Sequence, residues 1–151
     1  MPVEGKVTLK DAAVRGAIER VRLSLPLGGD MTPAFRSIGR IVKTGTQLRF
    51  RQQKSPEGAR WKPSQRAQRT HGQTLRLTGR LRNSLTYVAD RASVAIGTNV
   101  VYGPIHQFGG LAGRGRKVVI PARPYLGASE ADKLAVVDTL NDFIGGRWRG
   151  A

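Results

Sequence analysis

The groups that would give this chain a reaction to perform are two histidines, a handful of carboxylates, its serines and one glycine-arginine loop. His71 and His106 are the only imidazoles. A zinc site needs three or four ligands of suitable type. With no cysteine, and with Asp90 the only carboxylate between residues 58 and 129, no such set forms around either histidine. The same scarcity removes paired-carboxylate acid-base chemistry and the H-E-x-x-H pattern. No serine stands in a G-x-S-x-G elbow. GRGRK (113–117) has amides and arginines that suit a phosphate, but it lacks the lysine-threonine pair and following helix of a phosphate-binding loop. It reads instead as a basic loop that orders against a neighbour. The sequence therefore predicts no enzyme, no cofactor and no metal. His106 is expected to pack beside Tyr102 and Phe108 and to satisfy a backbone hydrogen bond.

Charge is the stronger signal. The 151 residues carry 26 Lys+Arg against 10 Asp+Glu, a net +16. Residues 31–89 concentrate it, with 13 bases against a single acid, Glu57. Such a block calls for an anionic partner, either nucleic acid held through its phosphates or an acidic protein. Stacking on single strands would need free aromatic rings. Of the aromatics in the block, Trp61 is the one not assigned to a core face, and a lone loop tryptophan is more often an anchor onto its own or another subunit.

The elements that must position these groups follow from periodicity. Val7, Val14, Ile18, Val21 and Leu25 lie on one helical stripe, giving a first helix at about 8–25 with Thr8 and Asp11 as a capping box and an end near Pro26. Thr32-Pro33 opens a second helix, about 32–54, with Phe35, Ile38, Ile41, Val42 and Leu48 inward, Arg36, Arg40, Lys43 and Arg51 outward, and Pro56 as its limit. Residues 55–76 show no sustained period and predict a long basic arm. SLTYVAD and SVAIGTN alternate around an Asp90-Arg91 turn, and KVVIP supplies a third strand within a sheet region of about 84–121. Ser129 and Asp132 cap a last helix, about 129–144, with Leu134, Val137, Leu140 and Ile144 on its apolar stripe. The predicted fold is α+β: one domain, 1–151, whose antiparallel sheet packs against N-terminal and C-terminal helices. No apolar run reaches membrane-spanning length, and the first residues lack the pattern of a secretory signal, so a soluble protein is expected.

Four stretches then fall together: SPEGARW (55–61), LRLTGRLRNSL (75–85), VAIGTNVVYGPIHQFGG (94–110) and IPARPYLGAS (120–129). In this order they resemble the phage virion morphogenesis, or tail completion, family of P2-like and Mu-like phages. Gly103 and Pro104 depart from that family's pattern and would make a helix at 102–108 begin late, at Pro104.

The resemblance implies a virion protein made in the host cytoplasm that forms a ring, a hexamer by expectation, at the head–tail junction or upper tail. Its partners would be copies of itself, neighbouring neck or tail proteins and genomic DNA touched through its backbone, with no membrane. Within the motifs, Tyr102, Ile105, His106, Gln107, Phe108, Gly109, Pro121, Arg123 and Pro124 are expected to be structural, with Tyr102, Ile105 and Phe108 packing inward. Trp61, Arg114, Arg116 and Lys117 are the expected subunit contacts. Arg60, Lys62, Arg66 and Arg69 are expected to face DNA or an acidic partner. The alternative from another class is a sequence-nonspecific nucleic-acid-binding module.

Overall fold

A computed structural model of the chain describes residues 11–25 and 29–146; the roles expected of Val7, Thr8 and Pro26 lie outside them. Helix α1, Ala12–Ser24, begins where Asp11 Oδ1 accepts a hydrogen bond from Val14 N at 3.0 Å. Helix α2, Thr32–Gln52, takes Met31 as its cap, with Thr32 inside the helix. Asp30 holds that first turn by accepting from Thr32 N (2.9 Å) and Thr32 Oγ1 (2.6 Å). Gln53, in the left-handed conformation at φ 59°, stops α2 before Pro56 is reached.

At 1.5 Å per residue α2 is about 31 Å long, and it passes through both apolar clusters of the molecule. Its first half, through Phe35, Ile38 and Val42, packs with Val14, Ala17 and Val21 of α1 and with Val136 and Leu140 of α6, Glu130–Ile144. Its last turn gives Phe50 to a second cluster with Trp61, Leu81, Leu85, Val100 and Tyr125.

The sheet departs from expectation. Instead of one sheet with three strands there are two separate antiparallel hairpins. In the first, β1 (Thr86–Ala89) pairs with β2 (Val94–Gly97), and Asp90 Oδ1 builds the turn by accepting from Ala92 N and Ser93 N, both at 2.7 Å. This hairpin lies on α2 at Gly39, where an added Cβ would meet the Tyr87 ring. In the second, β3 (Gly110–Ala112) pairs with β4 (Val118–Ile120) across a 3-10 turn, Arg114–Arg116. A short helix, α5 (Gly103–Phe108), separates the two hairpins along the chain. The third strand closes on its near neighbour because a short loop costs less chain entropy than a crossing back over α5.

The segment 55–76 is also not a free arm. Ser55 N donates to Ala59 O at 2.8 Å, helix α3 (Gln65–Thr70) forms behind its cap Ser64, and the Gln53 side chain pairs with the Thr74 backbone at 2.7 and 3.0 Å. Trp61 is 5% exposed, sits edge-on to Phe50 at 5.4 Å and donates from Nε1 to Pro124 O at 2.8 Å. As an expected subunit contact it is therefore corrected: its ring is consumed by its own core.

The expected inward faces hold at Phe35, Ile38, Val42 and Leu140 and depart where α2 and α6 meet at an ion pair. Arg49 is 4% exposed, whereas Leu48 is 45% exposed. On α6 the buried positions are Asp132, Val136 and Leu140, while Leu134 is 66% exposed and Ile144 is 39% exposed. Arg49 Nη1 donates to Asp132 Oδ2 at 2.8 Å, so the ion pair draws residue 49 of one helix and residue 132 of the other into the seam between them. The rest of that guanidinium is also engaged: Nε donates to Tyr125 O at 3.0 Å, and Nη2 to Thr46 Oγ1 at 2.8 Å and to Gly127 O. Asp132 closes the capping box with Ser129 at the same time.

Candidate functional site

Three of the four stretches singled out above converge on one corner. α5 is fastened to the 123–126 strand of chain by its own polar groups. Gln107 Oε1 accepts from Tyr125 N (3.0 Å) and Leu126 N (2.9 Å), Gln107 Nε2 donates to Leu126 O (3.2 Å), and His106 O accepts from Arg123 N (2.7 Å). That segment is in turn tied to the turn after α2, through Trp61 onto Pro124 O and through Arg123 Nε onto Lys62 O at 2.6 Å. Gly103 lies where a Cβ would meet Thr98 and the Tyr125 hydroxyl at 2.7 and 2.9 Å. Gly109 ends α5 at φ 73°, with Ala122 N 2.8 Å from its would-be Cβ, so any other residue is excluded there on both counts. Pro121 then follows directly on β4.

The expected inward packing holds only in part. Ile105 is half-buried, but Tyr102 is 42% exposed and Phe108 is 50% exposed, while Gln107, a polar residue, is the one buried at 6%. The short helix therefore turns its amide, not its aromatic rings, into the protein. His106 does meet the Tyr102 ring edge-on at 5.9 Å, but its imidazole Nδ1 is buried with no hydrogen-bond partner among the described residues, contrary to the expected backbone bond. Burial, with the Arg123 charge second, holds its pKa below the ordinary 6.5. Burial likewise lowers Arg123 and pushes the Tyr125 phenol up to about 12.

Two surfaces adjoin or flank this corner. One is a recess of about 570 Å³ that shares Tyr102, His106 and Arg123 with it and has Arg66 and Arg80 among its further polar lining and Leu77 in its walls. The other is the β3–β4 hairpin, in which residues 113–119 are all exposed. There Val118 and Val119 are 53% and 72% exposed beside the expected contact residues Arg114, Arg116 and Lys117. Of the expected anion-facing set, Arg60, Lys62 and Arg69 are exposed, and Arg66 is half-buried with Nη2 donating to Gln73 O at 2.7 Å. Among the described residues, none of these bases has a carboxylate within ion-pair distance. No group of three His, Asp or Glu able to hold a metal occurs among the described residues, and no described helix is long and apolar enough to cross a membrane.

Comparison with known proteins finds a family and relatives. The sequence model of the phage virion morphogenesis family matches residues 9–144. A Mu-like prophage FluMu G protein 2 from Haemophilus influenzae is 36% identical over 112 residues, covering 74% of this chain and 77% of that protein. A putative capsid assembly protein G from Escherichia phage Mu is 28% identical over 148 residues, covering 89% and 94%. No solved structure matches the chain.

Proposed function

This chain belongs to the phage virion morphogenesis family, and from that premise we propose that it is a structural protein of a tailed phage or prophage, forming a ring of identical copies, six by our reading, at the head–tail junction or top of the tail. The observation that carries the reading is the β3–β4 hairpin, which turns two valines and three cations to solvent with no core beneath them. An isolated monomer gains nothing from such a projection, whereas a ring needs one surface that reaches a different surface on the next copy. Its exposed strand edges suit that purpose.

The basic face fits the remainder of the reading. Six copies at +16 each would bring about +96 into one particle, a repulsion that DNA in the channel or an acidic neighbouring protein offsets. Contacts of this kind hold phosphates without reading bases. Replacing Arg60, Lys62, Arg66 and Arg69 together by Gln tests the assignment, because three of the four are exposed and the Lys62 bond to Arg123 uses its backbone. The yield of filled, infective particles should drop while the protein still folds; an unaltered titre refutes the basic face's role.

The 13 bases of residues 31–89 also favour a second reading, a free nucleic-acid-binding module. Such a module binds duplex DNA as a monomer with a steep salt dependence. The ring component is found in purified particles, and the module is not.

A further inference from the structure

Two polar groups in the recess beside α5 are left without the partner their chemistry calls for. Arg123 is 5% exposed, yet its guanidinium has one hydrogen bond, from Nε to Lys62 O, and among the described residues no carboxylate opposes it. The other two buried charges among the described residues, Arg49 and Asp132, answer each other. His106 Nδ1, in the same recess, is buried and unbonded. A guanidinium so enclosed, with one protein acceptor and no counter-charge, keeps donor capacity for an incoming anion. Arg80, which also lines the recess, is exposed with no ion pair among the described residues, and Leu77, 74% exposed, shares the lining with Tyr102.

We propose that this recess receives an acidic residue of a neighbouring virion protein, its carboxylate held by Arg123 and Arg80 and an adjoining apolar side chain laid on Leu77 and Tyr102. The inference rests on the particle role above and names the chemistry of one partner. A carboxylate suits the site better than a duplex phosphate. DNA presents its phosphates on the outside of a stiff cylinder, which meets exposed cations such as Arg60 and Arg69 more readily than a cation that is 5% exposed in a recess. A planar carboxylate on a flexible side chain reaches it and matches the guanidinium fork.

A second copy of this chain is the poorer source. Asp11, Glu19, Asp30, Glu130 and Asp132 already sit in ion pairs, and Asp90 is bound into its own turn. Glu57 and Asp138 are exposed, but they ride on a chain of net +16 whose approach brings like charge to this basic recess, so an acidic protein of a different kind is the better source.

The test uses the full chain and a short fluorescent peptide alternating leucine and glutamate, with its leucine-glutamine counterpart and random-sequence duplex DNA as competitors. Saturable binding of the acidic peptide is expected, with shifts of the Tyr102–Gln107 amides in NMR. Binding should weaken about tenfold on Arg80→Glu and on Leu77→Asp, both at exposed positions that leave the fold intact, and the glutamine peptide should not compete. Arg123→Gln should remove the remainder. Absence of saturable binding overturns the proposal, as does binding indifferent to Arg80→Glu. Displacement of the peptide from these amides by the DNA assigns the recess to phosphate and overturns it equally. None of these outcomes touches the particle role, which is read from purified virions alone.

Discussion

Arg49 is the side chain whose loss the molecule should feel most. It is 4% exposed and donates to four acceptors on α2, α6 and the 125–127 segment, so a single fork fixes both the rotation of two helices and the path between them. Removing one partner of a buried pair strands the other charge, which costs about 3 kcal/mol or more. Arg49→Met should therefore lower the urea midpoint by that equivalent. Arg49→Lys should recover little, because one ammonium cannot serve four fixed acceptors. Adding Asp132→Leu to Arg49→Met should restore much of the loss, since the stranded charge is then gone. A single Arg49→Met variant within about 0.5 kcal/mol of the parent contradicts this account.

His106 makes a pH-dependent contribution of defined sign. Its folded pKa is depressed below 6.5 by burial and by Arg123, so the unfolded chain takes up a proton first as the pH falls. Stability should be full above about 6.5 and decline below it until the folded-state pKa is reached. His106→Gln should flatten that decline, as seen in denaturant midpoints taken between neutral and mildly acid pH. Asp11, Asp30 and Asp90, also depressed, act in a separate window below 3.8 and do not mimic it. Neither Arg49 nor His106 was legible as such in the sequence. One arginine among 13 bases has no spacing that marks it as buried, and an imidazole without a partner looks the same on paper as one with a partner.

At the scale of elements, the capping box at Ser129 and Asp132, the stop of α5 at Gly109 and the first hairpin around Asp90 were all readable, because each rests on a local pattern of few residues. What failed were the questions decided by distant contacts. The apolar stripes of α2 and α6 turned inward at Phe35, Ile38, Val42 and Leu140, but around the ion pair Arg49 and Asp132 took the buried positions, with Leu48 and Leu134 outside. The supposed arm folded because Trp61 found Pro124 O and Thr74 found the Gln53 side chain at the end of α2. Gly45 tests this seam. A Cβ there would lie 2.6 Å from Asp132 Cγ, so Gly45→Ala forces the carboxylate away from Arg49. Alanine gains about 1 kcal/mol in helix propensity over glycine, yet the broken pair outweighs it. A net fall in thermal midpoint is expected, and a rise would show that the seam has slack.

For the whole molecule, the spread of one charge sign matters together with the uncovered β3–β4 hairpin. Its valines and open strand edges invite a neighbouring strand, while Arg114, Arg116 and Lys117 at the same tip hold approaching copies off. Only the second of these forces is screened by dissolved ions, over roughly 10 Å at 0.1 M and 3 Å at 1 M. Concentrated stocks of the isolated protein should stay clear in dilute buffer and scatter light as sodium chloride is raised, the reverse of ordinary salting-in. Val119→Lys should stay clear throughout. An uncovered hairpin thus makes brine, not crowding alone, the condition under which dissolved copies precipitate.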